Sequence, residues 1–308
     1  MFRFLLFSFF CLFFVFSVGC EAEKGCEVVE DFSSLRGVPY IVNKDPDDFS
    51  IHRLYEGANV QSLNEEAGSG DLTSRFLLAL STIRNVSNID VDEDPIRGRR
   101  MLEELWEVGV VDAGLSLFWL FYNGVGACQN RQLSKLYLEA SAEYGLIKSQ
   151  QILAYAYNGN GLVGLVNKDY SLAKFWFEKA ARQGDIISAI VLSGMYFEGI
   201  GGVPNESLAF DWISRAESMP YGDPFFAFSS LGMYYEKGIG TDVNLIQAYK
   251  YYDLLSPAGD DDKARLEAQM TPEQIREAIR LSRQWQEEHN IYVPSYYGLE
   301  YQEDGTFQ

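Results

Sequence analysis

The sequence predicts an all-α fold, an α/α solenoid of stacked antiparallel helix pairs behind an N-terminal signal segment. Three observations carry that expectation. Glycines recur at Gly70, Gly109, Gly145, Gly184, Gly222 and Gly259, at intervals of 39, 36, 39, 38 and 37 residues. Within the periods, small, Leu and aromatic residues follow the glycine in steps of four. Four periods also carry a Gly-x-Gly tripeptide after that stripe.

Composition limits the rest. Of 308 residues, 47% are apolar, which is too many for a disordered chain. Lys and Arg total 25 against 44 Asp and Glu, a net charge of −19 that repels phosphate backbones and excludes nucleic acid as a partner. His52 and His289 are the two histidines, so zinc sites and His-dependent nucleophilic catalysis lack parts.

Residues 1–19 carry one charge, Arg3, and a dense run of Phe, Leu and Val ending in Ser17-Val18-Gly19. That pattern reads as a secretory signal. An apolar stretch of this length could also stay as an anchor, the one membrane attachment the sequence suggests. Val18-Gly19-Cys20 resembles the end of a bacterial lipoprotein signal, in which the Cys sulfur takes the lipid. Ser17 departs from that pattern, which prefers Leu. The expected location is therefore exported: periplasmic or outer-membrane-anchored in a Gram-negative bacterium, otherwise secreted. Cys26 and Cys128 are then candidates for a disulfide, although spacing alone cannot place them within bridging range. Residues 20–49 read as a linker and 50–69 as one capping helix.

The five periods span 70–108, 109–144, 145–183, 184–221 and 222–258. Four residues after the glycine stand Ser74, Ala113, Ser149 and Ser188, with Ala227 displaced by one. Leu78, Leu117, Leu153, Leu192 and Leu231 follow by four, and Phe121, Tyr157, Tyr196 and Tyr235 by four more, with Thr82 in the first period. Steps of four fall on one helical stripe. The loops Gly124-Val125-Gly126, Gly159-Asn160-Gly161, Gly199-Ile200-Gly201 and Gly238-Ile239-Gly240 follow helix stripes, never strands, which argues against a phosphate loop. A second helix carries Ser134 and Tyr137, Ala173 and Trp176, Ala209 and Trp212, or Ala248 and Tyr251. Asp71, Asp185, Asp223 and Asp260, directly after their glycines, read as caps of the next helix.

These residues resemble the Sel-1-like repeat family, a subclass of the tetratricopeptide-like helix-pair repeats. Residues 227–259 follow its pattern through Ala227, Leu231, Gly232, Tyr235, Gly238, Gly240, Ala248 and Gly259, and Ala173, Trp176, Ala180, Ala181 and Gly184 match its second helix. The resemblance implies a right-handed superhelix whose concave groove takes a protein or peptide, and a non-catalytic adaptor or scaffold with no cofactor. Rival expectations are a secreted hydrolase of the β-lactamase or penicillin-binding type and an envelope protein binding the cell wall. The first is opposed by two mature cysteines where the relevant subgroup has a pair in each repeat, and by the lack of a Ser-x-x-Lys pair at a helix start.

After Gly259 a short helix over 264–270 and a second over 273–289, capped by Thr271 with Pro272 and Gln274, should close the stack, leaving 291–308 as a loose tail. Asp90 to Asp94 imitates the start of a calcium loop, but Pro95 and Met101 replace the required Gly and Glu. Asp260-Asp261-Asp262 reads as a helix start rather than a metal site. The sequence therefore nominates no catalytic, metal or cofactor residue.

Overall fold

A computed structural model describes residues 27–47, 50–84 and 89–297. The signal segment, Cys20, Cys26 and residues 298–308 lie outside the described residues. The all-α expectation holds: among the described residues the regular structure is fourteen α-helices and one 3-10 turn, beside two isolated bridges, Tyr40 to Val110 and Asp185 to Tyr221. Two helices precede the array, α1 (Ser50–Arg53) and α2 (Val60–Gly68). Five pairs follow: α3 (Leu72–Ile83) with α4 (Pro95–Val108), α5 (Val111–Asn123) with α6 (Arg131–Glu143), and α7 (Ile147–Asn158) with α8 (Tyr170–Arg182). The last two are α9 (Ile186–Glu198) with α10 (Glu206–Ala216) and α11 (Phe225–Lys237) with α12 (Leu245–Leu254). Then come α13 (Asp260–Glu267) and α14 (Pro272–His289). We call the first helix of each pair A and the second B.

Packing follows chain order. Each A helix lies against its own B helix, each B against the next A, and α14 closes on α12. The small and Leu members of the A stripe form that seal: Ala113, Ser149, Ser188 and Ala227 are fully buried, as are Leu117, Leu153, Leu192 and Leu231. A continuous apolar cluster runs from Phe76 to Trp285, as expected where no pair can bury both its faces alone.

The caps obey a rule that the glycine period hides. Every B helix starts on an Asp or Asn, namely Asp94, Asn130, Asp169, Asn205 and Asn244, whose side chain accepts a first-turn amide. Such a cap is worth about 1 kcal/mol. In four repeats the cap's own amide donates to the carbonyl of the stripe aromatic, as Asn205 does to Tyr196 at 2.7 Å and Asp169 to Tyr157 at 2.9 Å. After the period glycines, Asp71 and Asp185 do cap α3 and α9. The other two do not: Pro224 takes the N-cap place of α11, and Asp260 is the first residue of α13 behind Gly259.

The Gly-x-Gly loop has two separate causes. Its first glycine ends the A helix in the left-handed region, as Gly199 does at φ 73°. Its second lies against the first residue of the preceding B helix, where a Cβ on Gly126 or Gly240 would collide with the Pro95 or Glu206 carbonyl. In the third repeat this second role does not fall to Gly161, around which space is open, but to Gly164, beside the Arg131 guanidinium. The loop is longer there, so the contacting glycine is displaced.

Three flanking expectations need correction. Residues 50–69 are two helices rather than one, because the chain turns at Gly57 (φ 76°) and restarts at Asn59, which caps α2 with Ser62 in a reciprocal box. The start of the tail is held rather than loose: the Val293 amide donates to Gln286 Oε1 at 2.8 Å, and Ser295 Oγ to the Asp253 carbonyl at 3.3 Å. The linker, over its described residues 27–47, is a strap bound to the array.

Candidate interaction surfaces

The strap begins between α4 and α6 and follows their seam. Glu27 forms ion pairs with Arg99 and Arg100, and its carbonyl accepts the Cys128 amide at 3.0 Å. The Arg100 guanidinium beside Glu27 holds that carboxyl below the usual carboxylate range. The Val29 carbonyl takes Asn130 Nδ2 at 3.1 Å. Phe32 packs edge-on to Tyr137 at 4.9 Å and lies 6.3 Å from Trp106, whose Nε1 donates to the Ser33 carbonyl at 2.6 Å. Trp106 fits because position 114 is glycine; a Cβ there would collide with its ring. Backbone bonds then carry the strap over the repeat turn, from the Arg36 and Gly37 amides to the Glu107 carbonyl and from the Tyr40 amide to the Gly109 carbonyl at 2.8 Å.

The strap ends on a buried carboxylate. Asp112 accepts the Val42 amide at 2.7 Å and the Asn43 amide at 3.1 Å. Burial pushes its carboxyl up to about 6 against these stabilising bonds. A raised native value means that the folded form holds the proton more tightly. The associated stability is present below about pH 4 and lost as pH rises through about 6, a swing of roughly 3 kcal/mol. Asp112→Asn removes the titrating group but turns a donor-only NH2 toward one of the two backbone amides. It should be less stable than the parent at pH 4, by about 1–3 kcal/mol, and the deficit should shrink by pH 7.5 in urea unfolding; a deficit independent of pH would contradict this assignment.

The other side of the array presents the A helices. Three residues apart along each one stands a partly open row: Ser116, Trp119 and Tyr122 on α5, Ile152, Tyr155 and Asn158 on α7, Val191, Gly194 and Phe197 on α9, and Ser230, Met233 and Glu236 on α11. Tyr155 also meets Phe177 edge-on at 5.0 Å, and burial pushes its phenol up to about 12. Around Gly194 space is open. This row is a register apart from the stripe whose small and Leu members seal the pairs.

Sequence candidates for chemistry are scattered. Cys128 is disulfide-bonded, and Cys26 lies outside the described residues. His289 stacks on Trp285 at 4.0 Å with Nδ1 2.8 Å from the Trp285 carbonyl, whereas His52 is exposed on α1. Ser193 Oγ is buried and donates to the Ala209 carbonyl at 2.7 Å, and the exposed Asn205 serves as the cap of α10. Asp94 of the acidic run caps α4. No group of three His, Cys, Asp or Glu able to hold a metal occurs among the described residues. Nor is any described helix long and apolar enough to cross a membrane.

Comparison with known proteins places the repeats. The Sel1 repeat family pattern matches residues 147–185, 187–220 and 229–256. The chain is 36% identical over 134 residues to Chitin synthase regulator SKT5 of Saccharomyces cerevisiae, covering 42% of this chain and 18% of that protein. It is 33% identical over 90 residues to Activator of C kinase protein 1 of the same yeast, covering 28% of this chain and 14% of that one. The chain thus spans under a fifth of either yeast relative's length. Among solved structures, a protective antigen of uropathogenic Escherichia coli displaying an SLR fold is similar, with a TM-score of 0.57, 22% identity and coverage of 80% of this chain and 53% of that one. At that identity the likeness concerns the fold.

Proposed function

The chain carries Sel1 repeats, and from that premise we propose that it is a non-catalytic adaptor whose A-helix face binds a protein partner. One observation carries the reading. The partly open row through Trp119, Tyr155, Gly194 and Met233 keeps its register across four repeats, while the small and Leu members of the neighbouring stripe are sealed. Apolar and aromatic surface left partly open along a solenoid is suited to docking another chain. The two yeast relatives bear the names of a regulator and an activator, which agrees with a protein-binding role. A photo-crosslinking residue at Gly194, in the native host, should capture a discrete protein, and Trp119→Ala with Phe197→Ala should reduce the yield. No crosslinked protein, or capture indifferent to both variants, would overturn the reading.

The proposal extends to the chain's location. An exported protein, cleaved before Cys20 or anchored there by lipid, agrees with a Cys26–Cys128 disulfide, since Glu27 is already bonded beside Cys128. Intact-mass measurement of the purified protein, with and without reductant, tests both parts. The expected product lacks residues 1–19 and keeps Cys26 and Cys128 in one disulfide-linked peptide after digestion.

A further inference from the structure

The strap's docking site recurs one repeat later. Between α6 and α8 lies an open cleft of about 480 Å³, lined among others by Lys135, Tyr157, Gly164, Val166, Asp169 and Leu172. Each occupies the register of a residue at the strap site. Lys135 precedes its repeat glycine by ten residues, as Arg99 does. Gly164 lies against the preceding B helix as Gly126 does, and Val166 follows it by two residues as Cys128 follows Gly126. Asp169 caps α8 as Asn130 caps α6, with its amide on Tyr157 as that of Asn130 is on Phe121.

Coverage differs at matched positions. Leu133 lies between the strap contacts at Asn130 and Tyr137 and is 2% exposed; Leu172, at the same place on α8, is 40% exposed. Arg99 is shared between Glu103 and Glu27, and its side chain is 2% exposed. Lys135 repeats the first pairing, with Glu139 at 3.0 Å, but its side chain is 37% exposed. Lys168 lines the same cleft and Arg131 borders it, a local run of cations on a chain of net charge −19. The seam between α8 and α10 lacks this offer, because Lys174, in the Arg99 register, lies 3.4 Å over the Tyr196 ring.

We propose that the α6/α8 cleft docks an extended acidic segment of a partner protein in the manner of the strap. A carboxylate pairs with Lys135, the backbone follows the loop 164–167, and apolar side chains two and five residues on, as Val29 and Phe32 follow Glu27, cover Leu172. This surface lies on the B-helix side and is independent of the A-helix row.

The strap supplies the probe. A fluorescein-labelled peptide of residues 27–35, Glu-Val-Val-Glu-Asp-Phe-Ser-Ser-Leu, is titrated against the full chain with its own strap in place, followed by anisotropy. Saturable binding is expected, weakened at least tenfold by Lys135→Glu, by Leu172→Asp and by Glu27→Lys in the peptide. Circular dichroism and the thermal midpoint of both protein variants should match the parent, since both side chains face solvent. No saturation up to millimolar protein, or binding indifferent to Lys135→Glu, which would mean displacement of the resident strap, overturns the proposal. So does a dimer of the peptide-free chain that Lys135→Glu dissociates, because the occupant would then be the strap of a second copy.

Discussion

Arg99→Ala should cost about 3–5 kcal/mol of stability, with the loss confined to the first two repeats. The guanidinium is buried, donates from Nε to the Gly126 carbonyl at 3.0 Å, and is the counter-charge for both Glu103 and Glu27. Its removal therefore strands Glu103, whose carboxyl burial already pushes up while Arg99 draws it down. Losing that opposing charge raises it further. A raised native value gives stability that falls as pH rises, so the deficit should be smaller at pH 4 than at pH 7.5. Glu27→Gln, at the open end of the pair, should cost far less than Arg99→Ala, because solvent screens that partner. Arg99→Met with Glu103→Leu should be more stable than Arg99→Met alone, because no uncompensated charge remains. Urea unfolding at both pH values, with hydrogen exchange to locate the opening, would decide the matter. A deficit below 1 kcal/mol, or one independent of pH, would mean that the charges are solvated and that the strap is not held here.

The strap marks the boundary of what the sequence makes legible. Repeats announce themselves because one packing problem is solved five times, so Ser149, Ser188 and Ala227 or Leu153, Leu192 and Leu231 return at fixed distances. Residues 27–47 solve their problem once. Glu27, Val29, Phe32 and Ser33 meet partners on α4 and α6 about 70 to 105 residues away, through backbone carbonyls and single side chains that leave no period to read. One indirect signal was present: Trp106 stands three residues before its glycine, where later repeats have Ala142 and Ala181, and position 114 is glycine. An oversized residue beside a cut-away neighbour points to a ligand on that seam. The partly open A-helix row leaves no repeated letter, since its register holds Trp119, Tyr155, Gly194 and Met233 in turn. Only burial separates it from Leu153 and its equivalents two residues earlier.

The second large effect concerns the loops, where one motif conceals two kinds of glycine. Gly240 and Gly161 both have positive φ, at 65° and 83°, so alanine at either incurs the left-handed strain of roughly 1–2 kcal/mol. Their surroundings differ. A Cβ at Gly240 would collide with the Glu206 carbonyl and come within 2.9 Å of Phe210 Cβ, whereas at Gly161 there is open space. Backbone cannot step aside without separating α10 from the following loop, so overpacking adds about 1–3 kcal/mol at Gly240 alone. Gly240→Ala should therefore cost about 2–5 kcal/mol and Gly161→Ala about 1–2. Gly164→Ala should fall between them, because the atom 2.7 Å away is the end of the Arg131 side chain, which can move. The order Gly240, Gly164, Gly161 in chemical unfolding tests the displaced contact directly. A larger loss at Gly161 than at Gly164 would return the third loop to the register that its Gly-Asn-Gly letters suggest, and with it would go the match between the α6/α8 cleft and the strap site.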